Sequence, residues 1–397
     1  MENVSNRVNQ LAASETLAMS QKSRELKALG HNVINLSVGE PDFHTPDFVK
    51  DAAKKAITDN ITFYSPVPGF PELLEAISKK LKRENNLIYS TDQIVVSGGA
   101  KHTLSNVLMT LINPGDEVII PAPYWVSYVE LVKLVEGKSV VISTSLESDF
   151  KISPKQLENA ITPKTKVLMI CSPSNPTGSI YTKQELKAFA DVLEKHPNIY
   201  IISDEIYEHI NYIGKHESIA QFESIADRVI VVNGVSKGYA MTGWRIGYCA
   251  APKWITKACQ KLQGQMTSGT CSIAQKAAIA AINSDASYPK MMREAFMKRR
   301  DVVIERLKKI PGFKTNVPEG AFYIFTEVSH FMGKKHGEKV IENSADLCMY
   351  LLNNAFVATV PGSAFGAENY IRFSYAASEA ELLDALNRIE KAVADLR

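Results

Sequence analysis

The sequence of 397 residues lacks several features that mark other classes of protein. Its five cysteines include no Cys-x-x-Cys pair and are odd in number, so neither a zinc site nor a disulfide framework is indicated, and we predict no metal site. No apolar run approaches the roughly 20 residues of a membrane span, and the amino terminus lacks the apolar core of a signal peptide. We therefore expect a cytoplasmic protein.

An excess of charge of one sign is also missing. The chain has 45 Lys and Arg residues against 43 Asp and Glu residues, a net charge of +2, so it has no overall field that would attract nucleic acid or an anionic membrane. Hydrophobic residues make up 45% and charged residues 22%, which is ordinary for a globular enzyme. We expect small molecules as partners, and a few placed cations can still bind a small anion.

The order of the predicted elements indicates an α/β fold. Short apolar runs predict seven strands, at 93–97, 117–120, 140–143, 166–171, 199–203, 229–233 and 245–249. Helical patterns lie between them, at 101–112, 154–160 and 182–195. Alternation of this kind is typical of a mostly parallel sheet covered by helices.

The length favours two domains rather than one. We predict a large domain over 46–284 and a smaller α+β domain over 285–397, where the pattern changes to a long charged helix followed by strands. The segment 1–45 contains a predicted helix and a predicted strand, at 18–29 and 33–36. We expect this segment to pack with the small domain.

The most informative segment is 235–248, VSKGYAMTGWRIGY, in which Lys237 follows Ser236 and precedes Arg245 by eight positions. A lysine amine can bond covalently to an aldehyde, and a hydroxyl and a guanidinium can bind a phosphate dianion. This combination points to pyridoxal phosphate (PLP). A solvated lysine beside a structural turn is the alternative at this point.

Three further segments follow predicted strands, where open α/β sheets place their ligands. Segment 97–102, SGGAKH, offers backbone amides and a helix start to a phosphate, although a plain turn explains it equally well. Asp204, if buried, can keep a pyridine nitrogen protonated, with a helix cap as the alternative role. Tyr207 and Asn175 can hydrogen-bond the phenolic oxygen of the same ring.

Two other residues stand out by their surroundings. Trp125, one of three tryptophans, follows a predicted strand and can face a cofactor ring, although most tryptophans pack in cores. Arg372 lies inside the apolar segment 369–375, where an unpaired charge is unfavourable. It is therefore either one half of a buried ion pair or a bidentate clamp for a substrate carboxylate.

Taken in this order, these segments resemble a class I PLP-dependent aminotransferase of fold type I, and they are most similar to the bacterial aspartate aminotransferases. The resemblance runs nearly end to end, from 35–43, NLSVGEPDF, through 64–69, YSPVPG, to the strand of Arg372. It implies that PLP is the cofactor and that the enzyme is a homodimer with shared active sites.

The resemblance also implies a role for each candidate residue. Lys237 bonds to the cofactor, Asp204 pairs with its ring nitrogen, and Trp125 stacks on the ring, while Asn175 and Tyr207 hold the phenolic oxygen. The phosphate is bound by residues from two segments and from the partner subunit: Gly99, Ala100, Lys101, Ser236 and Arg245, with Tyr64 from the other chain. The substrate is bound by Gly39, Lys101, Trp125, Asn175 and Arg372.

The implied activity is a ping-pong transfer of the amino group of aspartate to 2-oxoglutarate, in which Lys101 helps to read the distal carboxylate. The alternatives are an aminotransferase for aromatic amino acids or kynurenine, a carbon–sulfur lyase, or a non-catalytic PLP-binding regulator. Relatives that accept prephenate use a basic residue near the amino terminus. Ala12 stands at the aligned position, so we do not expect activity with prephenate, while the expectation for aspartate is unaffected.

Overall fold

The computed structural model describes residues 4–13 and 15–397, so the predicted segment 1–45 is covered except for residues 1–3 and 14. The α-helices of this part of the chain are α1 Asn6–Asn9, α2 Glu15–Ala28, α3 Asp47–Thr58, α4 Pro71–Lys80, α5 Ala100–Leu111, α6 Ser127–Leu134, α7 Pro154–Ala160, α8 Lys183–Glu194, α9 Lys253–Met266, α10 Ser272–Ile282, α11 Ser287–Leu307, α12 Ser344–Asn354 and α13 Glu379–Ala394. The strands are β1 Ile34–Asn35, β2 Ile94–Ser97, β3 Glu117–Ala122, β4 Lys138–Ser143, β5 Thr165–Cys171, β6 Tyr200–Asp204, β7 Val229–Gly234, β8 Gly247–Ala250, β9 Lys314–Thr315, β10 Tyr323–Glu327, β11 Lys335–His336, β12 Lys339–Val340, β13 Val357–Ala358, β14 Val360–Pro361 and β15 Tyr370–Ser374.

A seven-stranded sheet in the order β2-β8-β7-β6-β5-β3-β4 forms the centre of the fold. Strands β3 to β7 pair in parallel, while β8 runs antiparallel to both β2 and β7. All residues of β7 are buried, because both faces of this mostly parallel sheet are covered. For the same reason its central strands appear in the sequence as nearly continuous apolar runs. The predicted α/β class and mostly parallel sheet are confirmed.

Helices cover the sheet on both faces. Along β6, Ile201 packs into one core with residues of α8 and α10, while its neighbour Ile202 packs into another core with residues of α5 and α9. This alternation follows from the two-residue period of a strand. None of the helices in the described residues is both long and apolar enough to cross a membrane.

The N-terminal segment packs with the C-terminal part of the chain. Strand β1 pairs in parallel with β13, and Met19 and Ile34 belong to the same core as Phe296 and Leu347. That part also contains an antiparallel sheet in the order β14-β15-β10-β9. The division into the domains 46–284 and 285–397, with 1–45 joined to the second, stays a prediction.

Candidate active site

Most of the predicted site residues line one cavity of about 410 Å³. It lies at the carboxyl ends of β5, β6 and β7, as expected for a ligand site of an open α/β sheet. The predicted residues in its lining are Gly39, Ala100, Lys101, Trp125, Asn175, Asp204, Tyr207, Ser236, Lys237, Arg245 and Arg372. Gly99 and Tyr64 are the two predicted residues that the lining does not include.

Lys237 follows the end of β7 and extends its amine into the cavity. Its Nζ donates a hydrogen bond to the carbonyl oxygen of Gly39 at 2.5 Å and lies 5.8 Å from the centre of the Tyr207 ring. Loss of water around the ammonium lowers the pKa of Lys237 to about 8. About a tenth of the amine is therefore neutral at pH 7, far more than for an ordinary lysine, and the neutral form is the one that acts as a nucleophile or a base.

Asp204 is the last residue of β6 and is almost fully buried. Its Oδ2 accepts a hydrogen bond from the Tyr128 hydroxyl at 2.7 Å, and its Oδ1 accepts one from the backbone N–H of Ile206 at 3.2 Å. Burial raises the pKa of Asp204 to about 6, against the opposing effect of the Tyr128 hydrogen bond. No helix begins directly after Asp204 in the described residues, so the hydrogen bond from Ile206 is a turn contact and the helix-cap alternative is not realised. At neutral pH the Asp204 carboxylate on the cavity wall is mostly ionised.

The start of α5 and Arg245 together form a cup for an anion. Arg245 donates from Nη2 to the carbonyl of Gly98 at 3.2 Å and from Nη1 to the carbonyl of Thr242 at 2.9 Å. Gly99 is the N-cap of α5, with φ +93°, and an added Cβ would lie 2.7 Å from Cζ of Arg245. Glycine is needed here because any side chain would displace the guanidinium from the helix start.

Arg245 also explains a difference from the predicted strand 245–249. The residue has φ +58°, a left-handed conformation that cannot continue an extended strand. Strand β8 accordingly begins only at Gly247.

Arg372 lies in β15 and is only 2% exposed. Its Nη1 donates to Oδ1 of Asn175 at 2.9 Å and its Nη2 donates to the carbonyl of Ser37 at 2.7 Å, while its buried Nε has no hydrogen-bond partner in the described residues. No carboxylate among those residues pairs with the guanidinium, so the ion-pair alternative is not realised. A buried cation with an unused donor suits the carboxylate of a ligand.

Two tyrosines of the cavity lining, Tyr128 and Tyr323, were absent from the sequence-based set. The hydroxyls of Tyr207 and Tyr323 are 2.8 Å apart, so Tyr207 already has a partner besides the expected cofactor oxygen. Tyr128 hydrogen-bonds Asp204 from the first turn of α6. Its nearness in sequence to Trp125, three positions before it, is a signal that could have found it, whereas Tyr323 carries no comparable signal in the sequence.

Buried charges fix the reverse side of the turn that carries Asp204 and Tyr207. Glu208 accepts hydrogen bonds from Nζ of Lys80 and from the side-chain amides of Asn85 and Asn233, the last two at 2.8 Å. Burial alone would raise its pKa, but the Lys80 ammonium holds the pKa of Glu208 well below its usual range. The turn is therefore anchored by an ion pair whose side chains are each only 4% exposed, so water screens it little.

Tyr64 lies outside the cavity. It is 96% exposed and borders a separate surface depression next to Phe63, which is 82% exposed. Two adjacent exposed aromatic rings are unusual on a surface that stays in water.

Comparison with known proteins identifies the family. Residues 31–389 match the profile of the family described as aminotransferase class I and II. This chain belongs to that family. The predicted family and the predicted enzyme class, a PLP-dependent transaminase, are confirmed.

Similar proteins extend over the whole chain. A "Probable aspartate/prephenate aminotransferase" of Rickettsia bellii is 49% identical, with all of both chains covered. The crystal structure of an aspartate aminotransferase from Rhizobium meliloti is 44% identical with a TM-score of 0.96 over 100% of both chains. That of a Thermus thermophilus aspartate aminotransferase with maleate is 40% identical with a TM-score of 0.93, covering 99% of this aminotransferase and 100% of the other chain.

Proposed function

We propose that this aminotransferase transfers the amino group of L-aspartate to 2-oxoglutarate, giving oxaloacetate and L-glutamate, in a ping-pong reaction. The observation that carries the proposal is a pair of cations, Arg372 and Lys101, on the wall of the cavity that holds the Lys237 amine. Neither cation forms an ion pair with a described residue, and the Nζ of Lys101 lies 4.9 Å from the Trp125 ring centre. A dicarboxylate substrate supplies one carboxylate for each.

The chemistry of the cavity supports PLP as the cofactor. Lys237 offers an amine for the aldehyde, Asp204 an ionised carboxylate for the ring nitrogen, and Arg245 with Ser236 and the start of α5 a set of donors for the phosphate. When bound, PLP supplies an aldehyde that accepts the amino group and a ring that withdraws electrons from the substrate α-carbon.

The remaining steps are assigned to side chains of this chain. Arg372 and the backbone N–H of Gly39 bind the α-carboxylate, and Lys101 binds the distal carboxylate. The neutral amine of Lys237 removes the proton from the substrate α-carbon and returns it to the adjacent carbon of the cofactor. The lowered pKa of Lys237 leaves part of this amine unprotonated. Trp125 covers one face of the ring. Asn175, Tyr207 and Gly99 complete the set of cofactor contacts that the resemblance implies.

We also propose a homodimer in which Tyr64 of each chain reaches the phosphate in the other. The 96% exposure of Tyr64 and its position outside the cavity of its own chain support this arrangement. The proposed domains are 46–284 and 285–397, with 1–45 joined to the second. All five cysteines are free thiols, which supports a reducing compartment such as the cytoplasm.

The test is a donor screen with aspartate, alanine, tyrosine and kynurenine. We expect aspartate to have the highest kcat/KM, and Lys101→Met to lower kcat/KM for aspartate much more than for alanine. Lys166→Met is the matched control, because Lys166 also lies over an aromatic ring, at 5.2 Å from Tyr200, but outside the cavity. A strong preference of the unaltered enzyme for a non-acidic donor would overturn the substrate assignment.

A second experiment tests the role of Lys237. The variant Lys237→Ala should lose turnover and the absorption band of lysine-bound cofactor while it keeps its thermal unfolding temperature within a few degrees. Normal turnover in this folded variant would refute the assignment.

Prephenate is the second candidate acceptor, because the name of the Rickettsia bellii relative includes it. The position aligned with a basic residue in such relatives is Ala12, whose backbone N–H bonds to Oε2 of Glu130 at 2.8 Å and which offers no charge to a second carboxylate. Amino transfer from aspartate or glutamate to prephenate, measured beside transfer to 2-oxoglutarate, decides between the narrow and the broad acceptor range.

A further inference from the structure

Tyr128 is a buried residue of the cavity that none of the steps above uses. It lies in the first turn of α6, is 2% exposed, and donates its hydroxyl to Oδ2 of Asp204 at 2.7 Å. Its ring also meets the Trp125 ring edge to face, with centroids 5.5 Å apart and planes at 88°. The loop that leads into α6 and the first turn of this helix therefore place both the Trp125 ring on the cavity wall and the donor that contacts the Asp204 carboxylate.

The Asp204 carboxylate has few other compensating contacts. Its second oxygen receives only the 3.2 Å hydrogen bond from the N–H of Ile206, and no Lys or Arg of the described residues forms an ion pair with it. Lys237 attracts the charge more weakly, from a longer distance. A buried carboxylate in such surroundings depends on its hydrogen-bond donors to remain ionised.

A tyrosine is suited to this task because it does not titrate in the working range of an enzyme. Burial and the neighbouring Asp204 charge raise the pKa of Tyr128 well above 10. The hydroxyl consequently keeps its proton at neutral pH and can donate it to the ionised carboxylate of Asp204.

We propose that Tyr128 is a positioning residue that keeps Asp204 ionised and oriented toward the ring nitrogen of the cofactor. The proposal rests on the proposed PLP site, and it predicts that the Tyr128 hydroxyl matters only for a ligand that has this nitrogen. Removing it leaves the carboxylate with one weak hydrogen bond, so both the charge and the direction of Asp204 become less well defined.

The test compares two ligands on cofactor-free protein. One is PLP, and the other is its carbocyclic analogue, in which a C–H group replaces the ring nitrogen. Dissociation constants are measured by fluorescence titration for the unaltered protein and for Tyr128→Phe, which removes one oxygen atom and keeps the ring. We expect affinity for PLP to fall by about tenfold or more, and affinity for the analogue to stay within about twofold.

Tyr181→Phe is the matched control. Tyr181 is also buried, and its hydroxyl accepts a hydrogen bond from the N–H of Ile152 at 3.2 Å, away from Asp204. This variant loses a buried hydroxyl as well, so it reports the general effect of such a loss on folding. We expect it to leave both dissociation constants unchanged.

A second pair of variants removes the charge itself. In the Asp204→Asn background no buried carboxylate is left without its donor, so the double variant with Tyr128→Phe avoids that source of unfolding. We expect the second substitution to cause no further loss of PLP affinity there.

Each outcome has a definite meaning. Equal loss of both ligands in Tyr128→Phe, or no loss of either, overturns the positioning role, as does a further loss in the Asp204→Asn background. Failure of the unaltered protein to bind PLP would instead refute the proposed cofactor site, so the two failures are distinguishable.

Discussion

The substitution Gly99→Ala tests the anion cup at a single atom. The added Cβ would lie 2.7 Å from Cζ and 3.0 Å from Nη1 of Arg245, and nearer still to Nη2. Carbon atoms in contact are normally about 3.5–4.0 Å apart, so the guanidinium has to move by about 1 Å. Its Nη2 hydrogen bond to the carbonyl of Gly98 is already 3.2 Å long and breaks under such a shift.

The magnitude follows from the contact that is lost. We expect the displaced guanidinium also to lose one of its proposed hydrogen bonds to the phosphate. A hydrogen bond to a charged group contributes about 1.5–3 kcal/mol, so this loss raises the dissociation constant of PLP about 10- to 100-fold. Backbone strain adds a separate effect on stability, because φ +93° with ψ 159° is a conformation that essentially only glycine adopts. This strain lowers the free energy of unfolding by about 1–3 kcal/mol.

The assay is titration of cofactor-free protein with PLP and with pyridoxal, which lacks the phosphate. We expect Gly99→Ala to weaken PLP far more than pyridoxal. Gly30→Ala is the control, because Gly30 also has a positive φ of +92° but no atom within 4 Å of an added Cβ. Unchanged PLP affinity in Gly99→Ala, or an equal loss for the two ligands, would refute the reasoning.

Three further predictions concern buried charges. Arg372→Lys replaces the planar guanidinium by one ammonium group, so kcat/KM for aspartate should fall by about 100-fold while the dissociation constant of PLP stays unchanged. The control Arg306→Lys, which lies between helices and outside the cavity, should change neither quantity. An unaltered kcat/KM in Arg372→Lys would count against the clamp. Lys80→Met leaves Glu208 charged and buried without its cation, so urea denaturation should show a free energy of unfolding lower by about 3–5 kcal/mol, and adding Glu208→Gln should restore most of it. A decrease below about 1 kcal/mol would contradict the anchoring role. Because burial raises the pKa of Asp204 from 3.8 to about 6, its contribution to stability is complete below pH of about 4 and is lost as the pH rises through about 6. Cofactor-free wild-type protein should therefore lose about 3 kcal/mol relative to Asp204→Asn over that interval, and parallel stability curves for the two proteins would exclude this shift.

The sequence predicted the elements whose pattern is local. The central strands are buried on both faces, so they appear as apolar runs, and α7 was predicted with the bounds that the structure has, Pro154–Ala160. The site residues at the ends of β5, β6 and β7 were predictable because the chemistry follows each strand directly. The antiparallel direction of β8 was not, since a strand pattern carries no information on orientation.

Contacts between distant residues were the part that the sequence did not reveal. Arg372 bonds to the carbonyl of Ser37 across 335 positions, and Tyr207 meets Tyr323 across 116. Backbone carbonyls have no sequence signature, and a buried tyrosine in an apolar strand resembles any other core residue. Such pairs are decided by tertiary packing, which sets which strand faces which loop.

The short stretch Ser37–Gly39 has a consequence for protein engineering. One of its carbonyls holds Arg372 and another holds Lys237, so a single piece of backbone joins the residues proposed to grip the substrate and to react with it. A chimera that exchanges the first 45 residues between relatives would thus replace part of the proposed active site rather than an accessory tail. Its kcat and KM would therefore depend on the source of the first 45 residues as well as on the source of the remaining chain.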